Sequence, residues 1–473
     1  MISLSGLVPA AGYFACMIES ISLAALIKKY DIPVPRYTSY PTVPCWDTTN
    51  FNTEKWIDAV SRSFRESNDT KGISLYIHLP FCESLCTYCA CNTRITKNHN
   101  VEIHYIRTTL KEWGIYKKIF GRRPLLRELH LGGGTPTFFS AENLKWLIGD
   151  ILEDANIHDD YEFSFEGHPN NTTADHLKTL ADLGFRRVSF GVQDLDEKVQ
   201  RTINRIQPFA NLQEATHLSR INAYTSVSYD LIYGLPFQTP ATITDTVEKV
   251  LTLKPDRVSF YSYAHVPWLR PGQRGYEDAD LPTDVMKRHL YETGRALLRS
   301  KGYEDVGMDH FALAHDPLFK AQHNGRLHRN FMGYTTNETD LLIGLGTSAI
   351  SDAKYAYAQN AKKVEDYAAA IANNTLAVFK GHLQTEQDLQ LKKCILAVAC
   401  EGKVRRQDLL SLGDEEILPT LDAMKQEGIL SANIDGFQVT ALGRAFVRNV
   451  CSVFDQRMKN TQTQNQKLFS KAI

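Results

Sequence analysis

From about residue 72 to about residue 310 the chain alternates short apolar runs with longer amphipathic ones. Ile73, Leu75 and Ile77 alternate with polar neighbours, which is the period of a strand. Leu129 and Leu131 predict a second strand, closed by Gly132, Gly133 and Gly134. After Ser140 the residues Leu144, Leu147, Ile148 and Ile151 fall on one helical face. Phe163 and Phe165 mark a third strand that ends at Glu166. Residues 173–183 then read as a helix stopped by Gly184. Further strands are predicted over 188–192, 227–232 and 258–263, with helices from Thr239–Pro240 to about Leu253 and over 284–300.

Repeated strand–helix units of this length predict a parallel sheet with right-handed crossovers, and six or so of them fit a partial or full barrel. In such barrels the C-terminal ends of the strands carry the chemistry. Glu166, Gln193 and Asp230 fall at or near those ends. The pattern changes from about residue 383. Residues 389–399 and 414–426 read as helices, and 429–439 as a hairpin turning at Asp435–Gly436. This is a mainly helical, winged-helix-like accessory domain. Three units follow: an N-terminal extension and arm over 1–55, a catalytic barrel over 56–382, and the accessory domain over 383–473.

Composition narrows the classes of function. The chain has 473 residues, 43% hydrophobic and 23% charged, with a formal net charge of −1. No global charge favours nucleic acid, and the accessory domain lacks a basic stripe. No apolar run is long enough to span a bilayer, so no membrane span is expected. The first sixteen residues lack a basic leader and a cleavage site, which argues against a signal peptide. They read as an extension, poorly ordered or loosely docked, and the polar tail after about Lys459 reads as mobile. Nine cysteines, four of them between positions 82 and 91, do not resemble a secreted disulfide scaffold. They predict a reduced, cytoplasmic, cofactor-binding protein.

The cluster is Cys82, Cys86, Cys89 and Cys91, on a loop after the first strand. Three thiolates from one short loop can hold three corners of a 4Fe–4S cube and leave the fourth iron open. An open iron chelates the amino and carboxylate groups of S-adenosylmethionine. Zinc is the competing reading, but it normally needs a second cysteine pair or histidines, and none follows at zinc-site spacing. Cys91 stands equally as a plain loop cysteine or as a functional one. Gly132-Gly133-Gly134-Thr135-Pro136-Thr137 lets backbone approach a ligand, or makes only a tight turn. No Gly-Lys-Ser/Thr follows, which excludes a P-loop. Glu166 is either a rim salt bridge or an acceptor for a bound cofactor. Gln193, Arg205 and Asp230 together would ring a second polar ligand, with Arg205 forking a carboxylate.

With these motifs in view, the sequence resembles the oxygen-independent coproporphyrinogen III oxidases, radical S-adenosylmethionine enzymes of haem synthesis. The resemblance runs from about Ile27 to Asp455. Its marks are Arg36-Tyr37-Thr38-Ser39-Tyr40-Pro41-Thr42, the cysteine loop, the glycine run, and residues 189–194 and 230–236. Gly307-Met308-Asp309-His310-Phe311-Ala312, His328-Arg329-Asn330-Phe331 and Tyr357-Ala358-Gln359-Asn360 are further marks. The resemblance implies a radical S-adenosylmethionine partial (β/α) barrel in an α/β fold. It implies that Cys82, Cys86 and Cys89 ligate the cluster. It assigns Tyr76, Tyr88, Gly133, Glu166 and Ile350 to the S-adenosylmethionine bound there. It assigns Gly134, Thr135, Gln193, Arg205, Asp230 and Ala264 to a second S-adenosylmethionine. The implied reaction turns two propionates of coproporphyrinogen III into vinyl groups, giving protoporphyrinogen IX. A low-potential electron donor, a monomeric state and an arm over 36–42 closing on the active site are also implied. Arg36, Arg329 and His310 are candidate cations for the substrate's carboxylates.

Two positions depart from the expected pattern. Ala90 replaces a glycine in the cysteine loop, and Gly167–His168 follows Glu166 where Val-Asp is usual. The rivals on the same scaffold are a haem chaperone and a haem-modifying enzyme. Cys91 and the Arg36–Thr42 segment favour the oxidase over the chaperone. A regulator using the winged domain is a third class.

Overall fold

The computed structural model describes residues 23–413, 416–462 and 469. The extension over residues 1–16 and most of the polar tail lie outside the described residues.

Among the described residues seven strands of the main sheet run parallel: β1 (Ile73–Leu79), β2 (Leu125–Gly133), β3 (Asn156–Gly167), β4 (Arg187–Gln193), β5 (Ser226–Tyr233), β6 (Arg257–Ser262) and β7 (Leu342–Leu345). Strands β1 to β6 are neighbours in chain order, and β7 pairs with the outer side of β1. Antiparallel strands extend both edges, so the twelve-stranded sheet stays open as a partial barrel.

Alternation along these strands places the site. One parity is apolar and buried: Leu75 and Ile77, Leu129 and Leu131, Phe163 and Phe165, Val188 and Phe190, Val258 and Phe260. It packs beneath the outer helices, which show their own apolar stripes, as at Leu144, Leu147, Ile148 and Ile151. The other parity is polar. Register pairs Tyr76 with His130, His130 with Ser164, Glu166 with Ser189, Gly191 with Asp230, and Asp230 with Ser259. Because the side-chain period is two, those residues share the inner face.

Several helix starts are the predicted ones. Ser140, Thr173 and Thr239 each accept from a backbone N–H in the first turn. The strand holding Phe163 and Phe165 is longer than expected, beginning at Asn156 and running one residue past Glu166.

The C-terminal segment holds more elements than its reading, among them a helix over Val447–Val453 after the hairpin. Between the helices Glu386–Glu401 and Ile417–Gln426 lie a short strand, Lys403–Arg405, and a helix, Arg406–Leu412. The strand pairs with Gly436–Val439 of the hairpin, making a three-stranded sheet. Three residues are too few to show a period, which is why the sequence reading passed over them.

A second apolar core joins this segment to the arm. Leu26, Tyr30, Tyr37 and Tyr40 pack with Leu391, Ile395, Phe446 and Val450. Arg448 donates to the carbonyls of Val34 and Pro35, and Tyr37 donates to Asp455 at 3.1 Å. The arm is therefore a packed strap between the accessory segment and the sheet edge.

Candidate functional site

The cysteine loop is tied at both ends. Residues Phe81–Cys82 pair in parallel with Arg94–Ile95. The amides of Arg94 and Thr96 donate to the carbonyls of Pro80 and Cys82 at 2.8 and 2.9 Å. The end of β2 is stitched alongside: Gly134 donates to Leu79 at 2.8 Å and Thr135 to Phe81 at 3.0 Å. Glycine is required here. Gly133 has φ +112°, and a Cβ on it would lie 2.7 Å from the His78 ring. A Cβ on Gly134 would lie 2.6 Å from the Pro80 carbonyl. On the far side, Asn204 donates to the Leu85 carbonyl at 2.8 Å and Thr87 to Ile203 at 3.0 Å.

These ties open a cleft of about 460 Å³ at the C-terminal ends of the parallel strands. Cys82, Cys86, Cys89 and Tyr88 form one wall. Gly133, Gly134 and Thr135 form the next, and Glu166, Gln193, Arg205 and Asp230 the third. Tyr76, Ala264 and Ile350 do not line it. Tyr76 stands behind it on β1, stacked on His130 and bonded to His78 at 3.1 Å. The Ala264 carbonyl accepts from Gln273, which also donates to the carbonyl of Tyr88. Ile350 sits on a short antiparallel strand between β7 and the strand Ala356–Asn360, and a Cβ on Gly344 of β7 would lie 2.5 Å from its carbonyl. A cavity of about 520 Å³ in the accessory segment, lined by Arg406, Leu410 and Ile434 among others, holds no cysteine and no parallel-strand end.

The electrostatics are graded across the cleft. Burial pushes the Cys82 thiol up to about 11, against the pull of the Thr135 hydroxyl 3.4 Å away. Cys89 is drawn down by its hydrogen bond with the Cys91 thiol, and Cys91 is pushed up by the same contact. Arg205 donates toward Cys86 Sγ at 3.6 Å and to the Gly191 carbonyl at 2.5 Å, while its Nε is buried without a partner. Burial opposes the charge of Glu166. His130, with Nε2 at 3.7 Å, and the Gly133 amide at 3.2 Å outweigh burial and hold the carboxyl below its usual range. Asp230 is pushed up to about 6, chiefly by burial, although the Ser189 hydroxyl donates to it at 2.9 Å.

His130, Ser189 and Tyr261 were not singled out in the sequence. They were detectable in principle, as the polar parity of β2, β4 and β6. Of the three candidate cations, His310 is corrected. It is buried, and burial with Arg257, Arg329 and Arg187 nearby pushes its pKa well below the usual value, so it supplies no charge. Arg329 donates to the carbonyls of Arg36 and Tyr37 and lies over the Tyr334 ring. Arg36 bonds the Ser262 carbonyl at 2.7 Å and lies over Tyr261 on the cleft wall.

Comparison with known proteins adds the family. The Radical SAM superfamily model matches residues 76–250, from β1 to the helix before β6. The oxygen-independent coproporphyrinogen III oxidase of Synechocystis is 36% identical over 462 residues, 95% of this chain and 98% of that enzyme. The Escherichia coli enzyme of that name is 36% identical over 456 residues, with the same coverage. The chain belongs to the oxygen-independent coproporphyrinogen III oxidase family. A solved structure of the Escherichia coli coproporphyrinogen III oxidase superposes with a TM-score of 0.85 at 35% identity, covering 92% of this chain and 98% of that one.

Membership implies a 4Fe–4S cluster and S-adenosylmethionine, and the cleft fits them. A single zinc ion would draw its sulfurs to about 3.8 Å apart in a tetrahedron. Among the described residues no three His, Cys, Asp or Glu side chains converge in that way. Cys82, Cys86 and Cys89 all line one cleft, as three ligands of a cube would. The Arg205 donor on Cys86 and the Thr135 hydroxyl by Cys82 are the outer contacts such thiolates take. Among the described residues no helix is long and apolar enough to cross a membrane.

Proposed function

We propose that Cys82, Cys86 and Cys89 hold the 4Fe–4S cluster and that the opposite walls of the cleft hold S-adenosylmethionine. The chain catalyses the oxygen-independent oxidation of coproporphyrinogen III to protoporphyrinogen IX in haem biosynthesis. The observation that carries the residue assignment is the meeting of three thiols from one loop with Glu166, Arg205 and Asp230 in one cleft.

When bound, the cluster and S-adenosylmethionine would supply a 5′-deoxyadenosyl radical for hydrogen abstraction from a propionate β-carbon, and loss of carbon dioxide with one electron passed to an external acceptor would leave the vinyl group. The chain supplies position, charge and exclusion of water. Glu166, kept ionised, accepts from the cofactor's amino group or ribose hydroxyls. Gly133 lets the ligand lie against backbone, with Tyr88 shaping the same end and Tyr76 and Ile350 supporting it from outside the lining. Gly134, Thr135, Gln193, Arg205, Asp230 and Ala264 serve a second S-adenosylmethionine, which suits a reaction run twice. Arg36 and Arg329 face the substrate's carboxylates, and the strap that carries Arg36 closes that side.

The same reading holds 1–55 as extension and arm, 56–382 as the catalytic barrel and 383–473 as an accessory domain. It takes the protein as a cytoplasmic monomer reduced by a low-potential electron donor. The deciding experiment is anaerobic incubation of the reconstituted protein with S-adenosylmethionine, reductant and coproporphyrinogen III. Protoporphyrinogen IX with 5′-deoxyadenosine supports the reading. Iron analysis showing zinc and no sulfide sinks the cysteine assignment.

A further inference from the structure

Position 168 is one at which this chain departs from the expected pattern, and the local structure gives the departure a physical role. Gly167 comes first. A Cβ on it would lie 2.9 Å from the Phe190 ring and 3.0 Å from the Thr172 hydroxyl, so glycine lets β3 end tightly against β4. The chain then turns about the His168 carbonyl, which accepts from the amides of Asn171 and Thr172 at 2.9 and 3.0 Å and from the Thr172 hydroxyl at 3.0 Å.

The turn puts the imidazole on the cleft wall. Its Nδ1 accepts the backbone N–H of Asn170 at 3.1 Å. A ring nitrogen that accepts carries no proton, so in the neutral ring the proton sits on Nε2. Burial first, and then the Arg205 charge across the cleft, push the ring's pKa down to about 3. The ring is therefore uncharged at neutral pH. Among the described residues no acceptor takes the Nε2–H.

We propose that His168 is a specificity-determining contact, donating from Nε2–H to an oxygen of the S-adenosylmethionine held in the cleft. This rests on the cofactor assignment above. An acidic residue at this position would offer an acceptor, whereas the locked imidazole offers a donor. Three bonds of the turn go to the backbone carbonyl and one, from the Asn170 amide, to the ring, so the iron content of each variant is measured to separate a loss of the contact from a loss of the fold.

The test is equilibrium dialysis of labelled S-adenosylmethionine against the full, anaerobically reconstituted chain, with iron content measured for each variant. His168→Ala should weaken binding roughly tenfold, the loss of one neutral hydrogen bond, and His168→Gln should recover most of it. Decarboxylated S-adenosylmethionine locates the acceptor. If the alanine effect vanishes with that ligand, the acceptor is the carboxylate; if it persists, it is a ribose oxygen. Nitrogen-15 spectra of the unsubstituted chain should show His168 neutral and protonated on Nε2 at pH 6. Unchanged affinity in His168→Ala, or a charged ring at pH 6, overturns the proposal. Failure of the unsubstituted protein to bind S-adenosylmethionine would instead overturn the cofactor assignment.

Discussion

Arg205 directs one arm of its guanidinium at the sulfur of Cys86, 3.6 Å away, while the other arm is anchored on the Gly191 carbonyl at 2.5 Å. A cation fixed beside a cluster thiolate stabilises the reduced, more negative cluster over the oxidised one. Removing it should make reduction harder. For a contact worth about 1.4 kcal/mol, the one-electron potential falls by about 60 mV. Arg205→Met is the variant to use, because it keeps most of the volume. A redox titration followed by electron paramagnetic resonance gives the number, and an unshifted potential would show that the contact is not made with the cluster in place.

Glu166 and Asp230 face the same cleft with opposite tendencies. The first is held ionised below its usual range, and the second is pushed up to about 6. Glu166→Gln should weaken S-adenosylmethionine binding by roughly 10- to 100-fold, as expected for a charge-assisted bond. In the unsubstituted protein Glu166 stays charged from pH 8 to pH 5 and contributes no pH dependence there. Asp230 gains its proton as pH falls through about 6, so any weakening of binding over that window should disappear in Asp230→Asn. Binding isotherms at pH 5, 6 and 7.5 separate the two; a midpoint that survives in Asp230→Asn refutes the assignment.

The barrel was legible because its strands alternate and its helices carry both caps and stripes. Leu75, Leu129, Phe163 and Val188 each announce the face that meets the helices. The cysteine loop was legible from spacing. The support around it was not. His130 is an ordinary polar strand residue until register places it between Tyr76 and Ser164. His310 read as a cation because sequence does not reveal that three arginines and full burial surround it. The strap around Val34 to Thr42 carries no period, and its position depends on side chains hundreds of residues away, Arg448 and Asp455 among them.

The glycine run was weak evidence in sequence and becomes a strong constraint in space. Gly133→Ala adds a Cβ at 2.7 Å from the His78 ring and at φ +112°. His78 cannot swing away freely, since its Nε2 bonds the Asn92 carbonyl at 2.9 Å. Backbone strain and the clash together should cost about 2–3 kcal/mol. Denaturant unfolding should show the loss, and iron occupancy after reconstitution should fall because Asn92 closes the cysteine loop. Wild-type stability with full iron content would mean that the turn relaxes without cost.

Asp388 fastens the accessory segment. It caps its own helix through Thr385, accepts both arms of Arg457 at 2.7 and 2.8 Å, and meets His382 at 3.3 Å. Burial opposes its charge, but His382, Arg457 and Thr385 more than reverse that and hold the carboxyl well below the usual carboxylate range. A carboxyl with a lowered folded pKa stabilises the fold above its unfolded value, near 4, and loses that stabilisation as pH falls through the folded value. Asp388→Asn should therefore destabilise the protein by about 2–4 kcal/mol at pH 7, where it removes the buried carboxylate that pairs with Arg457. The gap between variant and wild type should stay constant down to about pH 5 and narrow steadily below that. Urea midpoints at pH 7, 5, 4 and 3 give the profile. A gap that widens in acid would place the destabilisation in packing rather than in the charge of Asp388.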